Sequence, residues 1–97
     1  MPQLIVSPTA ARGLEKCRQF LYGHNPVAAQ RAAIEIQRHL SLLETDPKLG
    51  KLVEPMSPLR ELIIPFSSSG YVALYHLLEV QNLVVIVAFR HQKEAGY

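Results

Sequence analysis

Cysteine is almost missing from this 97-residue chain, where Cys17 stands alone. No internal disulfide can form, and no zinc site built from several cysteines can be assembled within the chain. A reducing, cytoplasmic setting is the expectation that follows. Long hydrophobic runs are lacking too. The longest, residues 83–89, falls far short of the roughly 20 apolar residues that a membrane helix needs, so no membrane partner is expected. The opening Met-Pro-Gln-Leu-Ile-Val has no basic lead, and a secretory signal is not expected there. Excess charge is small: ten Lys and Arg against eight Asp and Glu leave +2, too little to argue for nucleic acid by itself. The histidines His24, His39, His76 and His91 show no metal-binding spacing, and neither a Gly-x-Ser-x-Gly elbow nor a phosphate loop occurs. No metal and no cofactor are therefore expected.

What remains is an ordinary globular composition, 48% hydrophobic and 19% charged, without repeats or linkers. It fits one domain spanning residues 1–97. Residues 3–6 read as an opening strand. Ser7-Pro8 is a helix cap followed by proline, and Ala10, Leu14, Cys17 and Leu21 then form one apolar stripe that ends before Gly23. Gly13 interrupts that stripe and should weaken the helix by about 1 kcal/mol relative to alanine. Asn25-Pro26 repeats the start signal, and Ala29, Ala33, Ile36, Leu40 and Leu43 predict a second helix over 26–45, ended by Asp46-Pro47. Only Gly23 and His24 separate the two helices, so they must fold back as a hairpin. After a loop over 47–58 the period changes to two. Residues 59–66, 71–79 and 83–90 read as strands joined by short loops. The fold expected is α+β: a two-layer β-α-α-β-β-β chain with the helical hairpin on a small twisted antiparallel sheet.

A helical hairpin covers one face of such a sheet, and the other should turn polar. Here both faces stay apolar. The last strand sets Leu83, Val85, Val87 and Phe89 against Val84, Ile86 and Ala88. A bare apolar face of this size exceeds the few hundred Å² that a soluble monomer tolerates, so either the chain's own long loops and C-terminal tail cover part of it or, the favoured expectation, a second chain does. Cys17, on the helical stripe, reads as core and not as a nucleophile. Arg60 reads either as the ion-pair partner of Glu54 or Glu79, or as part of a basic face. The terminal Arg90-His91-Gln92-Lys93-Glu94-Ala95-Gly96-Tyr97 gathers cationic, polar and aromatic groups at one end, the composition of a contact surface.

The order of these elements, with Asp46-Pro47-x-x-Gly50, Leu59-Arg60-Glu61-Leu62, Tyr71-Val72-Ala73-Leu74-Tyr75 and the terminal run from Arg90, resembles the ParE branch of the RelE/ParE toxins. The resemblance implies a sheet whose first strand lies beside its last. It implies a growth-inhibiting toxin of a plasmid-stabilising type II toxin–antitoxin pair, acting on DNA gyrase. A ParD-like antitoxin would wrap its apolar surface, and the complex would reach operator DNA through the antitoxin. On this chain the antitoxin contacts are placed at Leu14, Leu21, Ile64, Phe66, Val72, Leu74, Val84 and Ile86. Target contacts are placed at Arg90, His91, Lys93 and Tyr97. RelE-type relatives instead cut messenger RNA, which needs an acid, a base and cations on the phosphate. Leu62, Ile63, Ile64, Pro65 and Val72 stand where such enzymes carry cations, so no catalytic residue is assigned and inhibition by binding is expected. The alternatives are a ribosome-dependent messenger RNA endonuclease, with His91 as acid or base and Arg60 or Arg90 on phosphate, or an inactive antitoxin-binding homologue.

Overall fold

The computed structural model describes residues 1–94. Strand β1 (Gln3–Val6) leads into helices α1 (Pro8–His24) and α2 (Pro26–Leu42); strands β2 (Lys51–Leu52), β3 (Leu59–Phe66), β4 (Ser69–Leu78) and β5 (Leu83–His91) follow. The caps form as the sequence predicts. Ser7 Oγ accepts from Ala10 N–H and Asn25 Oδ1 from Ala28 N–H, each at 3.1 Å. Asn25 alone joins the helices, ending α1 through its N–H to the Leu21 carbonyl while capping α2. The second helix stops at Leu42, short of Thr45, because residues 43–45 tighten into turns that bond three residues back. Its buried stripe is also rotated: Ala32 is buried where Ala33 was expected, and Ala33 faces solvent.

The sheet runs β1-β5-β4-β3-β2. Strands β2 to β5 pair antiparallel, whereas β1 pairs parallel to β5, so the sheet is mixed. The two-residue β2, absent from the sequence reading, is too short to show a period. Register decides which side chains meet the helices. Between Leu74 and Tyr75 the β4–β5 ladder slips, leaving Val87 as an extra residue. Beyond that bulge Phe89 pairs with Ala73 and joins the inner face, while Ala88 pairs with Leu74 and turns outward. Simple alternation predicts the reverse for both.

The inner face carries Leu62, Ile64, Tyr71, Ala73, Tyr75, Val84, Ile86 and Phe89, packed against Ala10, Cys17, Ala32, Leu40 and Leu43 of the helical hairpin and the turn that follows it. Two glycines make this packing possible. A Cβ at Gly13 would run into the Phe89 carbonyl oxygen, so α1 lies directly on the β5 backbone there. A Cβ at Gly50 would meet the Tyr75 ring at 2.6 Å and the Glu61 carbonyl oxygen at 2.8 Å. With that space free, the buried Tyr75 hydroxyl accepts from Gly50 N–H and donates to the Pro47 carbonyl, each at 2.8 Å. Arg60 donates to the Gly50 and Lys48 carbonyls at 2.8 and 3.4 Å. It therefore ties down the loop after α2 rather than pairing with Glu79, which bonds Lys48 at 3.1 Å.

The outer sheet face meets no helix, yet it is more sheltered than expected. Val72 is only 2% exposed and Ala88 7%, screened by their strand neighbours. Ile63 (48%) and Ile5 (38%) stay exposed on this face, but the most exposed large apolar side chains lie off it: Phe20 (69%) on α1, Ile34 (65%) on α2, and Met56 in the loop before β3.

The close approach at Gly13 has a testable consequence. Helix propensity alone predicts that Gly13→Ala stabilises the protein by about 1 kcal/mol. The contact with Phe89 predicts the opposite sign, a loss of about 1–3 kcal/mol, seen as a lower urea midpoint at unchanged slope.

Candidate functional site

Two concave regions flank α1. On one side a groove of about 620 Å³ runs between α1 and α2, lined by Leu4, Leu14, Leu21, Ala29, Ile36 and Leu40 among others. Small side chains open it: Ala11, Ala29, Ala32 and Ala33 leave the two helices apart along this flank. On the other side a cleft of about 630 Å³ lies between the end of α1 and the β3–β4 turn, bordered by Lys16, Phe20, Phe66, Ser69, His91 and Glu94. Cys17, Leu21 and Tyr71 line both.

Tyr71 anchors the floor of the cleft. Its ring stacks on Phe89 at 5.5 Å, lies 6.4 Å from Phe66 and meets His91 edge-on at 5.5 Å. Burial, and to a lesser degree the nearby Cys17, pushes its hydroxyl pKa upward. The turn that makes the tight corner beside it has Ser67 at φ 57°, the positive φ that a two-residue hairpin requires.

The predicted target contacts occupy the turn after β5. His91 Nδ1 accepts from Lys93 N–H at 3.1 Å, so a neutral ring holds its proton on Nε2, where it donates to Ser69 Oγ at 3.2 Å. In that state His91 is not aimed at Ser69 as a base. Arg90 donates to the carbonyls of His91, Gln92 and Glu94 and shapes the turn. Lys93 is exposed. Tyr97 lies outside the described residues. Burial raises the Glu94 carboxyl, but the His91 N–H and Lys16, whose ammonium lies 3.3 Å away, outweigh it and hold the group below its usual range.

The predicted antitoxin contacts separate into three places. Leu14 and Leu21 line the groove, and Phe66 lines the cleft. Val72 and Leu74 lie on the outer sheet face. Four of them are not surface residues: Ile64, Val84 and Ile86 are fully buried beneath the helices, and Val72 is only 2% exposed on the outer face. Alternation gives each strand two faces but does not say which face of one strand aligns with which of the next, so inner and outer residues were grouped together. Sequence reasoning also passed over Phe20, Tyr22, Val27 and Ile34, all exposed on the helical hairpin. Their signal was present, as large apolar residues off the helical stripes. Among the described residues, no three His, Cys, Asp or Glu side chains gather as metal ligands, and no helix is long and apolar enough to cross a membrane.

Comparison with known proteins follows from this geometry. The family model for the ParE toxin of the type II toxin–antitoxin system, parDE, matches residues 4–96. This chain belongs to the ParE toxin family. Among curated proteins similar to it, Toxin RelE3 of Caulobacter vibrioides is 33% identical over 94 residues, covering 97% of this chain and 98% of that one. Toxin RelE1 of the same bacterium is 35% identical over 75 residues, covering 77% and 78%. A chain in the crystal structure of the intact E. coli RelBE toxin–antitoxin complex shares the fold, with a TM-score of 0.65 at 14% identity over 97% of this chain and 100% of that one. The chain is thus a type II toxin–antitoxin toxin of the ParE/RelE superfamily, and its α1, α2 and sheet are the shared architecture.

Within this ParE-family fold Cys17 is a core thiol. Burial, followed by the Glu94 charge, pushes its pKa from an ordinary 9.0 up to about 11. The unfolded chain therefore ionises first. Its contribution to stability is intact below pH 9 and declines as pH rises toward 11, by on the order of 2 kcal/mol. The difference in urea stability between wild type and Cys17→Ala should shrink across that window. A difference that stays flat from pH 8 to 11 rules out the buried neutral thiol.

Proposed function

We propose that this toxin acts by binding DNA gyrase, not by cleaving RNA, and that a ParD-like antitoxin neutralises it. The placement of the cations carries the reading. Arg90 pairs with Val72 and so lies on the outer sheet face, whereas His91 pairs with Tyr71 on the inner face. Arg60 shares the inner face but pairs with Tyr75, four residues along β4 from Tyr71, or about 13 Å at strand rise. A phosphate held by Arg60 would be far from the His91 ring, and the Arg90 guanidinium is spent on the carbonyls of His91, Gln92 and Glu94. The guanidiniums of both are bonded to backbone carbonyls. Between them the strands present Leu62, Ile63, Val72, Ala73 and Leu74, which offer nothing to a phosphate dianion. Contact, not catalysis, is what such a surface supports.

The groove between α1 and α2 is where the antitoxin is placed. Its lining is mostly apolar, with alanines that admit a side-chain-rich partner, and the same hairpin exposes Phe20, Tyr22, Val27 and Ile34 outside it. Arg12, Lys16, Arg18, Arg31 and Arg38 outnumber Glu15 and Glu35 on these helices, which favours an acidic segment. In the bound form, operator DNA would be met by the antitoxin.

The RelE names of the curated relatives favour messenger RNA cleavage as a second reading. Two assays run side by side separate them. The purified chain should inhibit supercoiling by gyrase and leave messenger RNA intact in a translating extract. Cleaved RNA with normal supercoiling reverses the assignment, and loss of both effects with antitoxin binding retained identifies an inactive homologue. Leu14→Glu should weaken antitoxin binding at least tenfold while supercoiling inhibition persists. If the antitoxin binds this variant as tightly as wild type, its place in the groove is wrong.

A further inference from the structure

The turn after β5 is stapled to itself. Arg90 donates to the carbonyls of His91, Gln92 and Glu94 at 3.1, 3.2 and 2.8 Å. Within it, His91 N–H donates to the Glu94 carboxylate at 3.3 Å, and Glu94 N–H returns to the His91 carbonyl at 3.0 Å. Lys93 N–H is taken up by His91 Nδ1 at 3.1 Å. A segment closed by so many internal bonds moves as a unit. Outward, it is tied by Gln92 N–H to the Gly70 carbonyl at 2.8 Å, by the His91 ring to Ser69 at 3.2 Å, and by Glu94 to Lys16 at 3.3 Å. The first two ties reach the neighbouring strand. The third reaches α1, 78 positions away, between side chains 74% and 36% exposed, where an ion pair is weak and easily exchanged. The turn forms one wall of the cleft whose floor is Cys17 and Tyr71. Cys17 is only 7% exposed.

We propose that residues 91–94 form a flap, hinged on the end of β5 and latched to α1 by the Lys16–Glu94 pair, whose opening uncovers the aromatic cleft and swings Lys93 toward the toxin's target. The flap's existence stands on the bonds above; its part in target contact rests on the gyrase reading. When the latch lets go, the Gln92–Gly70 and His91–Ser69 bonds remain as the pivot and the internal staples keep the turn's shape, so the wall tilts away from α1 without disordering. The protein carries its own reporter: Cys17 lies behind the flap as well as at the floor of the groove between α1 and α2, and breaking the latch changes its access only on the flap side.

The measurement is the rate at which 4,4′-dithiodipyridine modifies Cys17 in the native chain, taken with the urea midpoint. Glu94→Gln and Lys16→Met should each raise the rate about two- to fivefold, the range an exposed ion pair supports, with the midpoint unmoved. The swap Lys16→Glu with Glu94→Lys should bring the rate back toward wild type. Unchanged rates, rates that follow the urea midpoint, or a swap that rescues nothing would overturn the flap. For the second half, Lys16→Cys and Glu94→Cys in a Cys17→Ser background are joined by a cleavable bismaleimide. The joined chain should lose gyrase inhibition at least tenfold and regain it on cleavage of the linker. Full inhibition while joined refutes a role for opening. A cleaved chain that still leaves gyrase untouched refutes the gyrase reading instead, and the thiol rates then decide the flap alone.

Discussion

The crossing of α1 over β5 at Gly13 is the contact on which the rest of this molecule depends. A helix normally stands off a sheet by the length of its side chains. Here the missing Cβ lets the helix backbone come down on the Phe89 carbonyl. That approach fixes the height of the whole helix. Four residues on, it sinks Cys17 into the core. One residue earlier, it brings Lys16 within reach of Glu94. One turn toward α2, it leaves Leu14 and Leu21 half-buried along the groove. The mild cost of glycine in a helix interior is offset by a packing that no larger residue permits.

Much of the architecture was legible because it is written in local chemistry. Two cap-proline pairs, Ser7-Pro8 and Asn25-Pro26, mark helix starts that the hydrogen bonds bear out. The switch from a period of three to four residues to a period of two marks where the sheet begins. What was not legible depends on relations between strands. The bulge opposite Leu74 and Tyr75 leaves no sequence sign, yet it exchanges the faces of Ala88 and Phe89. A one-residue slip moves every later side chain to the other face. For that reason Val84 and Ile86 could be grouped with Val72 and Leu74 on the wrong face, while Ile64 was misplaced because the register of β3 on β4 is not written in the sequence. Arg60 was equally unreadable: its partners are backbone carbonyls at Lys48 and Gly50, and backbone groups carry no sequence code.

The same slip shapes the argument about chemistry. Adjacent residues in a strand point to opposite faces, so the Arg90 and His91 side chains leave β5 on opposite sides of the sheet. Before the bulge, the outer position falls on odd-numbered residues such as Leu83 and Val85; after it, on Ala88 and Arg90. The bulge therefore sends the cation outward and the imidazole inward against Tyr71. A catalytic site needs acid, base and cation within hydrogen-bond reach of the same bond. The separation of Arg60 from His91 along the sheet is what favours the proposed binding mode over catalysis.

Placing the imidazole inside and the arginine outside has a structural use in its own right. Arg90, leaving the outer face at the end of β5, bends back over the carbonyls of His91, Gln92 and Glu94 and so ends the strand in a compact turn instead of a frayed one. His91, on the inner side, packs its edge on Tyr71 and holds the same turn against the β3–β4 corner through Ser69. Two consecutive side chains thus do opposite jobs, one shaping the turn and the other seating it. The residue left to face outward from that turn is Lys93, whose own backbone is engaged by the His91 ring while its ammonium is not needed for folding. A surface cation that the fold does not use is available for recognition. The two arginines of the sheet, Arg60 and Arg90, are bonded to backbone oxygens, and the proposed contact role of the terminal turn rests on Lys93 being spared that duty.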